Sequence, residues 1–408
     1  MNRGFYTILA AQFFSALADN ALLFAAIALL KQVHAPSWET PVLQQAFILS
    51  FILLAPFVGA FADSLPKGRV MFISNTIKMA GCIAMLIGIN PLFAYGLAGF
   101  GAAAYSPAKY GILTEYLPPE RLVWANSWME GLTVAAIIFG AVIGGMLITP
   151  SIAAAIMQNL HVPPVVTAAE LAIFITFFIY LVAALINLYI PVVPIDHKVL
   201  SRNPYFLFKD FVHCFTLLWK DPLGQVSLAV TTLFWGAGAT LRLLVLSWAA
   251  VALHYTMGEA AKLTAWVAVG IAIGAILAAR LIKLEHAVKV LPVGIAMGVA
   301  TLAMIPVTYP LTAILLLTSI GMMAGFFVVP MNALLQHRGH LLMGAGRSIA
   351  VQNFNENISI FLMLGLYALM EKLELSLTLI ILVFGLLMAG IMSLLYKKHG
   401  HDQDTGKI

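Results

Sequence analysis

The chain has 408 residues, of which 62% are hydrophobic and only 10% are Asp, Glu, Lys or Arg. A water-soluble protein of this length could not hide so much apolar surface, so the composition predicts a polytopic α-helical membrane protein. In such a protein the net charge of +5 reports topology and not a nucleic-acid partner. Only two cysteines occur, Cys82 and Cys214, and their distance in sequence argues against a disulfide framework or a zinc site.

Apolar segments long enough to cross a bilayer recur along the whole chain, and we predict twelve transmembrane helices. They cover residues 5–31, 43–63, 70–90, 92–113, 124–148, 169–191, 223–253, 261–282, 288–307, 310–335, 348–370 and 375–396. The first segment also resembles a signal peptide, with small residues at 16–18 before a cleavage point. Because its apolar run continues to Leu30, an uncleaved first span is the favoured interpretation.

The basic residues of the loops predict the orientation of the chain. Loops on the side of the N-terminus hold 17 of the 22 Lys and Arg residues. The opposite side holds only Lys31, Lys262 and Lys372, while Lys78 and Arg242 lie within predicted spans. By the positive-inside rule, both termini are expected in the cytoplasm.

The longest polar connection, residues 192–222, divides the spans six and six. We therefore predict an N-terminal six-helix bundle at 1–191 and a cytoplasmic linker at 192–222. A C-terminal six-helix bundle at 223–396 and a cytoplasmic tail at 397–408 follow. The linker contains either a short interfacial helix around 205–218, where aromatic residues alternate with charges, or a plain solvated segment.

Polar positions of the two predicted bundles correspond at a nearly constant offset. Asp19 in the first span corresponds to Arg242 in the seventh, 223 residues later. Pro107 and Lys109 in the fourth span correspond to Pro330 and Asn332 in the tenth at the same offset. Asn126, Glu130 and Thr133 in the fifth correspond to Gln352, Glu356 and Ser359 in the eleventh at an offset of 226. This pattern is typical of parallel repeats related by an axis along the membrane normal. Chance alignment of helices of similar length is the alternative.

Asp19 and Arg242 each lie near the middle of an apolar span. A charge at that depth costs from a few to roughly ten or more kcal/mol, and such residues normally face a protein interior or a wet cavity. Two opposite charges in different spans predict a polar site at mid-membrane. A purely structural ion pair between Asp19 and Arg242 is the alternative interpretation.

Polar residues at helical spacing form stripes on four spans. The stripes comprise Gln12, Ser15 and Asp19; Asn126, Glu130 and Thr133; Trp235, Gly238 and Arg242; and Gln352, Asn355, Glu356 and Ser359. Their functional interpretation is the lining of a polar cavity. Each has a structural alternative: interhelical hydrogen bonds for the amides, packing for Trp235, contact with the cytoplasmic vestibule for Glu356, and a shallow or snorkelling position for Glu130 and Lys78.

Motifs of enzymes and metal sites are absent from the sequence. It has no phosphate-binding G-x-x-x-x-G-K-[ST] stretch and no H-E-x-x-H pair, and His399 and His401 fit a solvated tail better than a metal site. We therefore expect neither an enzyme, nor a cofactor, nor a bound metal.

The connection between the second and third spans resembles the signature loop of the major facilitator superfamily. Gly59 and Asp63 have the family spacing, and Lys67 and Arg69 flank a second glycine that comes two positions late. The resemblance implies two six-helix halves and a gating role for Gly59, Asp63, Lys67 and Arg69. Asp63 is then expected beside an arginine or the positive N-terminus of a neighbouring helix, as a state-dependent latch.

Longer stretches resemble the bacterial lysophospholipid transporters. They are FSALADNALLF at 14–24, GAAAYSPAKYGIL at 101–113, LFWGAGATLR at 233–242, GFFVVPMNALLQ at 325–336 and AVQN at 350–353. The resemblance implies transport of lysophosphatidylethanolamine and lysophosphatidylglycerol from the periplasmic to the cytoplasmic leaflet of the bacterial inner membrane. It also implies a functional partner, an acyltransferase/acyl-acyl-carrier-protein synthetase that re-acylates the imported lipid. We expect the transporter to act as a monomer.

The sequence hypothesis assigns the cargo to a set of polar residues. The predicted substrate-binding residues are Asp19, Asn20, Arg242, Gln12, Lys109, Trp235, Gln352 and Glu356. Arg242 would bind the phosphate bidentately and Asp19 an ethanolamine ammonium, while the amides bond glycerol or ester oxygens. The main alternative is a proton-coupled transporter or exporter of a small soluble or drug-like molecule, with Asp19, Glu130 and Glu356 as titrating groups. A structural scaffold is the third hypothesis.

Overall fold

The computed structural model describes residues 3–35, 39–159, 166–194, 203–255 and 257–399. Within these residues the chain forms helices and no strand. The α-helices, in chain order, are α1 (Arg3–Gln32), α2 (Glu39–Ser64), α3 (Lys67–Leu86), α4 (Pro91–Tyr116), α5 (Leu122–Leu147), α6 (Pro150–Asn159), α7 (Ala168–Asn187), α8 (Pro204–Lys220), α9 (Pro222–Ala252), α10 (Met257–Leu281), α11 (Leu291–Leu302), α12 (Pro310–Met343), α13 (Ala345–Lys372) and α14 (Leu377–His399). Short 3₁₀ helices, Pro119–Arg121 and Leu284–Val290, precede α5 and α11.

Every apolar segment predicted to span the membrane corresponds to one of these helices. Ten helical segments of the described chain are long and apolar enough to cross a membrane. The other two predicted spans correspond to α4 and α13. The all-α membrane fold is thus confirmed, while the crossing of all twelve helices and their orientation stay predictions.

Some element boundaries differ from those predicted. The short helix α6 lies in a connection for which no helix was predicted. In the linker, the helical alternative is correct, because α8 covers Pro204–Lys220 and buries Cys214 and Leu218. The tenth predicted span ends at residue 335, but α12 continues through Gly339 to Met343 and ends only at Gly344.

Local sequence signals account for several helix ends. Thr167 and Glu170 form a capping box at the start of α7, in which each side chain accepts from the backbone N–H of the other. Gly88 follows α3 with φ = +86°, and Gly344 separates α12 from α13 with φ = +98°. Only glycine adopts this left-handed conformation without a steric cost, so each of these helices ends there.

The helix α7 shows the pattern expected of a segment surrounded by lipid. Its exposed side chains recur at helical spacing and are apolar: Phe174, Phe178, Val182 and Leu185. The opposite face is buried and carries the polar Thr176, Tyr180 and Asn187. A helix in water shows the reverse distribution, so the exposed face of α7 is a lipid-facing surface.

Contacts divide the chain into two compact units, and several helices contribute to both. The first unit comprises Met1–Tyr116, Leu132–His213 and Met343–Asn353. The second comprises Leu117–Gly131, Cys214–Leu342 and Phe354–Ile408. The boundaries therefore fall within α5, α8 and α13, and Met343, the last residue of α12, belongs to the first unit. The predicted bundles at 1–191 and 223–396 stay a prediction.

The first unit is built around α3, which packs against α4 and α7, while α1 packs on α7 and α2 on α4. Small residues permit close contact of helix backbones. A Cβ atom added at Gly140 of α5 would lie 2.6 Å from the carbonyl oxygen of Leu17 in α1. The buried cluster of this unit is likewise rich in alanine, with Ala18, Ala25 and Ala98 at 0–1% exposure. Tight packing of small residues is a principal means of association between helices in lipid.

In the second unit, α10 and α12 cross at four glycines. A Cβ atom added at Gly270 or Gly274 would lie 2.2 or 2.0 Å from a carbonyl oxygen of α12. Additions at Gly321 and Gly325 would meet carbonyl oxygens of α10 at 2.1 Å. Helix backbone therefore contacts helix backbone at this crossing, which small residues at four-residue spacing permit.

Replacement of Gly274 by valine should destabilise the second unit, because the new side chain meets backbone that cannot move aside. We expect a loss of about 1–3 kcal/mol, typical of overpacking, seen as a lower melting temperature of the purified protein in detergent. Gly365→Val is the matched control, since nothing lies within 4 Å of a Cβ atom at Gly365. Equal destabilisation by the two variants would contradict the backbone contact.

Candidate functional site

A buried ion pair joins α1 and α3 in the first unit. The Lys78 ammonium lies 2.8 Å from Asp19 Oδ1 and donates a hydrogen bond to Oδ2 at 2.9 Å. The Lys78 side chain is 1% exposed, whereas that of Asp19 is 24% exposed. The Asp19 carboxylate is thus the accessible end of the pair, and the lysine lies behind it.

Further polar and aromatic groups hold this pair in place. Tyr180 of α7 donates a hydrogen bond to Asp19 Oδ1 at 2.7 Å. Lys78 donates to Ser15 Oγ at 3.0 Å, and the Ser15 hydroxyl donates in turn to Asn75 Oδ1 at 2.8 Å. Two charges are retained in an apolar unit because each has an opposite partner and further hydrogen bonds.

Two aromatic rings cover the Lys78 ammonium. Its nitrogen lies 4.8 Å from the ring centroid of Tyr105 and 5.4 Å from that of Tyr180. Both distances are within the range of cation–π attraction. The ammonium is therefore surrounded by one carboxylate, one hydroxyl and two ring faces, and the Lys78 side chain is 1% exposed.

The structure corrects the interpretation of Lys78 as a shallow, snorkelling residue. Lys78 lies eleven residues into α3, about 16 Å along the helix, and its side chain reaches Asp19 instead of the membrane surface. The sequence contained a signal for this pairing, because Lys78 and Asp19 lie in two spans of the same predicted bundle. An intramembrane charge requires a partner, and Lys78 was an available one.

The sequence hypothesis gave Asp19 a substrate ammonium or Arg242 as its partner, whereas its partner in the structure is Lys78. The two Asp19 oxygens accept three close contacts, two from Lys78 and one from Tyr180. Its neighbour Asn20 donates a hydrogen bond to the carbonyl oxygen of Ala16, one turn earlier in α1. Lys78 and Asp19 thus neutralise each other where α1 meets α3.

Other predicted substrate residues of the first unit are buried and have defined neighbours. Gln12 donates a hydrogen bond to Thr133 Oγ1 of α5 at 3.3 Å. The Lys109 ammonium lies 4.3 Å from the ring centroid of Tyr110. Gln352, in the first turns of α13, is 4% exposed. Gln12 and Asp19 lie two turns apart on α1, as predicted for a polar stripe.

A second charged cluster surrounds Asp63 at the end of α2. Asp63 Oδ1 lies 2.8 Å from the Lys67 ammonium, which also lies 3.0 Å from Glu115 Oε1. The same carboxylate accepts hydrogen bonds from the backbone N–H groups of Gly346 at 2.9 Å and Arg347 at 3.1 Å. Asp63 thus caps the positive N-terminus of α13, which confirms the predicted placement.

Arg347 connects this cluster to the linker helix α8. Its Nη1 atom lies 3.9 Å from Asp63 Oδ2, and its Nε donates to Asp210 Oδ2 at 2.8 Å. Gly59 permits close packing in the same region, since an added Cβ would lie 2.9 Å from the Arg347 Cα atom. Arg69, by contrast, is exposed.

In the second unit, Arg242 lies twenty residues into α9 and its side chain is exposed. Trp235, two turns earlier, is half-buried. Glu356 in α13 is 7% exposed. Asp19 belongs to the first unit and Arg242 to the second.

Buried amides of the second unit bond one another. Asn126 and Gln336 exchange two hydrogen bonds of 2.9 and 2.8 Å, which join α5 to α12. One turn along α5, the amide of Asn332 donates to Glu130 Oε1 at 3.5 Å. For Asn126, these bonds favour the interpretation as interhelical hydrogen bonding over the lining of a cavity.

The fold is that of a known class of transporters. The family model of the Major Facilitator Superfamily matches residues 8–364. The crystal structure of the transporter FucP covers 97% of this chain and 98% of its own, with a TM-score of 0.74 and 13% identity. A bacterial homologue of the iron transporter ferroportin covers 98% and 100%, with a TM-score of 0.73 and 15% identity. The chain therefore belongs to the major facilitator superfamily.

Closer relatives define the family within this class. The chain is 47% identical to the lysophospholipid transporter LplT of Serratia proteamaculans over 373 residues, which are 91% of this chain and 89% of that protein. It is 45% identical to LplT of Yersinia enterocolitica over 375 residues, 91% and 88% of the two chains. The chain thus belongs to the bacterial lysophospholipid transporter family, as the sequence resemblance indicates, and is a multi-pass inner-membrane protein.

Proposed function

We propose that this protein moves lysophospholipids from the periplasmic to the cytoplasmic leaflet of the bacterial inner membrane. The observation that carries the proposal is the identity of 47% over 91% of the chain with a protein named lysophospholipid transporter. Polar side chains within otherwise apolar helices suit a cargo whose head group is polar and whose acyl chain is not. The acyl chain would remain in contact with lipid while the head group crosses.

Arg242 is the residue that we assign to the lipid phosphate. A guanidinium presents two parallel N–H donors that match two phosphate oxygens, and it stays protonated at every physiological pH. Its side chain is exposed in α9, so a ligand can reach it. We assign Gln12, Asn20 and Gln352 to the glycerol and ester oxygens. Asp19, Lys109, Trp235 and Glu356 complete the proposed set.

We assign a gating role to the cluster around Asp63, with Gly59, Lys67 and Arg69. The Asp63 carboxylate is 3% exposed and holds the N-terminus of α13 through two backbone N–H groups. Such a contact stabilises only a conformation in which α2 and α13 meet. It would break when the helices separate during alternating access, so its strength would set the balance between conformations.

The imported lipid lacks one acyl chain and must be re-acylated before it joins the bilayer. We propose an acyltransferase/acyl-acyl-carrier-protein synthetase as the functional partner at the cytoplasmic surface, and a monomeric transporter. Deletion of that enzyme should leave initial uptake intact while lysolipid accumulates in the inner leaflet. Such accumulation is measured by lipid extraction from spheroplasts given labelled lysophosphatidylethanolamine.

Reconstitution tests the proposed cargo and the coupling together. Proteoliposomes should move fluorescent lysophosphatidylethanolamine and lysophosphatidylglycerol across the bilayer at equal pH on both sides. Empty liposomes and heat-inactivated protein provide the background rate. Translocation that requires a pH gradient would favour the proton-coupled alternative, in which Asp19, Glu130 and Glu356 titrate. The absence of translocation under both conditions would contradict the proposed function.

A further inference from the structure

We propose that Lys78 acts as an internal substitute for a substrate ammonium on Asp19, and so makes transport indifferent to whether the lipid head group carries an amine. This inference rests on the proposed lysophospholipid transport and deepens it. It names Lys78 as a specificity-determining residue of the same site.

The Asp19 carboxylate already holds a cation. A carboxylate that binds an ammonium places one or both oxygens about 2.7–2.9 Å from the nitrogen. Lys78 occupies this position, with its nitrogen 2.8 Å from Oδ1 and 2.9 Å from Oδ2, and Tyr180 adds a third contact. An ethanolamine ammonium could approach only the 24% of the Asp19 side chain that is still exposed.

The charge of Lys78 also weakens the attraction of Asp19 for a substrate ammonium. Lys78 and Asp19 together carry no net charge, so an incoming ammonium meets a neutral pair instead of an isolated anion. Removal of the lysine would leave an anion in an apolar unit, and an uncompensated buried charge is strongly unfavourable. A cationic head group would then supply the missing partner, whereas a glycerol head group would not.

The Lys78 side chain must also be held in place, because a lysine that moved away would no longer mask the carboxylate. The aliphatic stem of Lys78 lies against Gly101 of α4, where an added Cβ would lie 2.6 Å from Lys78 Cγ. The ammonium is fixed by Ser15 and by the rings of Tyr105 and Tyr180. The contacts with Gly101, Ser15 and the two rings therefore hold the Lys78 side chain in one position.

The masking of Asp19 by Lys78 determines which lipids the site accepts. With Asp19 masked, recognition of the head group depends on the phosphate, which every lysophospholipid has. Lysophosphatidylethanolamine and lysophosphatidylglycerol should then be carried at similar rates. A site with an unmasked carboxylate would instead favour the amine-bearing lipid through one additional charge-assisted hydrogen bond.

Uptake of the two lipids by a Lys78 variant tests this inference. Full-length protein in proteoliposomes is given each labelled lipid, and the ratio of the ethanolamine to the glycerol lipid is measured. We expect Lys78→Met to raise this ratio about tenfold or more, the effect of one additional hydrogen bond between charged groups. Lys78→Arg should preserve the wild-type ratio, and Lys78→Met combined with Asp19→Asn should return the ratio to that value. Lys31→Met, at the exposed end of α1, is the matched lysine control.

The possible results separate this inference from the proposed function. An unchanged ratio in Lys78→Met, with either lipid still carried, overturns the inference. Equal loss of both lipids, in protein that elutes as a monodisperse peak, also overturns it, because Lys78 would then have a structural role only. Failure of the wild-type protein to carry either lipid contradicts the proposed function itself.

Discussion

Replacement of Arg242 by alanine is expected to abolish lysophospholipid transport while the protein still inserts and folds. The guanidinium is the group that we assign to the phosphate, and removal of one partner from a desolvated charge pair costs about 2–5 kcal/mol. That loss corresponds to a factor of roughly 30 to 4,000 in affinity. Initial rates of uptake into proteoliposomes, measured over a range of lipid concentrations, check this prediction.

Arg242→Lys separates charge from geometry in the same assay. Lysine retains the positive charge but lacks the planar fork, so we expect uptake between that of the alanine variant and the wild type. Arg280→Ala is the matched control, because Arg280 is also exposed but lies in the last turn of α10. Wild-type uptake by Arg242→Lys would contradict bidentate recognition, and wild-type uptake by Arg242→Ala would remove Arg242 from the site.

Much of the fold was predictable because the bilayer imposes simple rules on sequence. Long apolar runs must be helical in lipid, and all twelve predicted segments lie on helices. The rules fail where the chain leaves the bilayer. The short helix α6 has only ten residues, too few for a transmembrane segment, so a search for spans misses it. The extension of α12 to Met343 depends on Gly344, whose left-handed conformation ends the helix.

The sequence predicted which residue types form the candidate site, but not which residue pairs with Asp19. A carboxylate at mid-span marks Asp19 as special, since its burial is costly. Which cation neutralises it depends on the packing of α1 against α3, and a sequence does not reveal that packing. The hypothesis therefore treated Lys78 as a peripheral residue, whereas it is the ion partner of Asp19 at 2.8 Å. The placement of Asp63 was easier to predict, because its spacing from Gly59 matches the family signature.

Replacement of Asp63 by alanine should have the largest effect on stability and should also impair transport. The carboxylate is 3% exposed and contacts the Lys67 ammonium and the backbone N–H groups of Gly346 and Arg347. Removal of one partner from a buried ion pair costs about 3–5 kcal/mol. We expect the low end of this range, because Glu115 remains 3.0 Å from Lys67. Thermal unfolding in detergent measures the loss.

Two further variants decide whether the contact with α13 or the charge alone is responsible. Asp210→Ala removes the other carboxylate from Arg347, but Asp210 is 23% exposed, so a loss below about 1 kcal/mol is expected. Gly346→Ala keeps every charge, yet its Cβ would lie 2.5 Å from Asp63 Oδ1 and must displace the carboxylate from the helix N-terminus. If Gly346→Ala impairs uptake as strongly as Asp63→Ala, the capping contact carries the gating role. If only Asp63→Ala impairs it, neutralisation of Lys67 is the function of Asp63, and the helix contact is incidental.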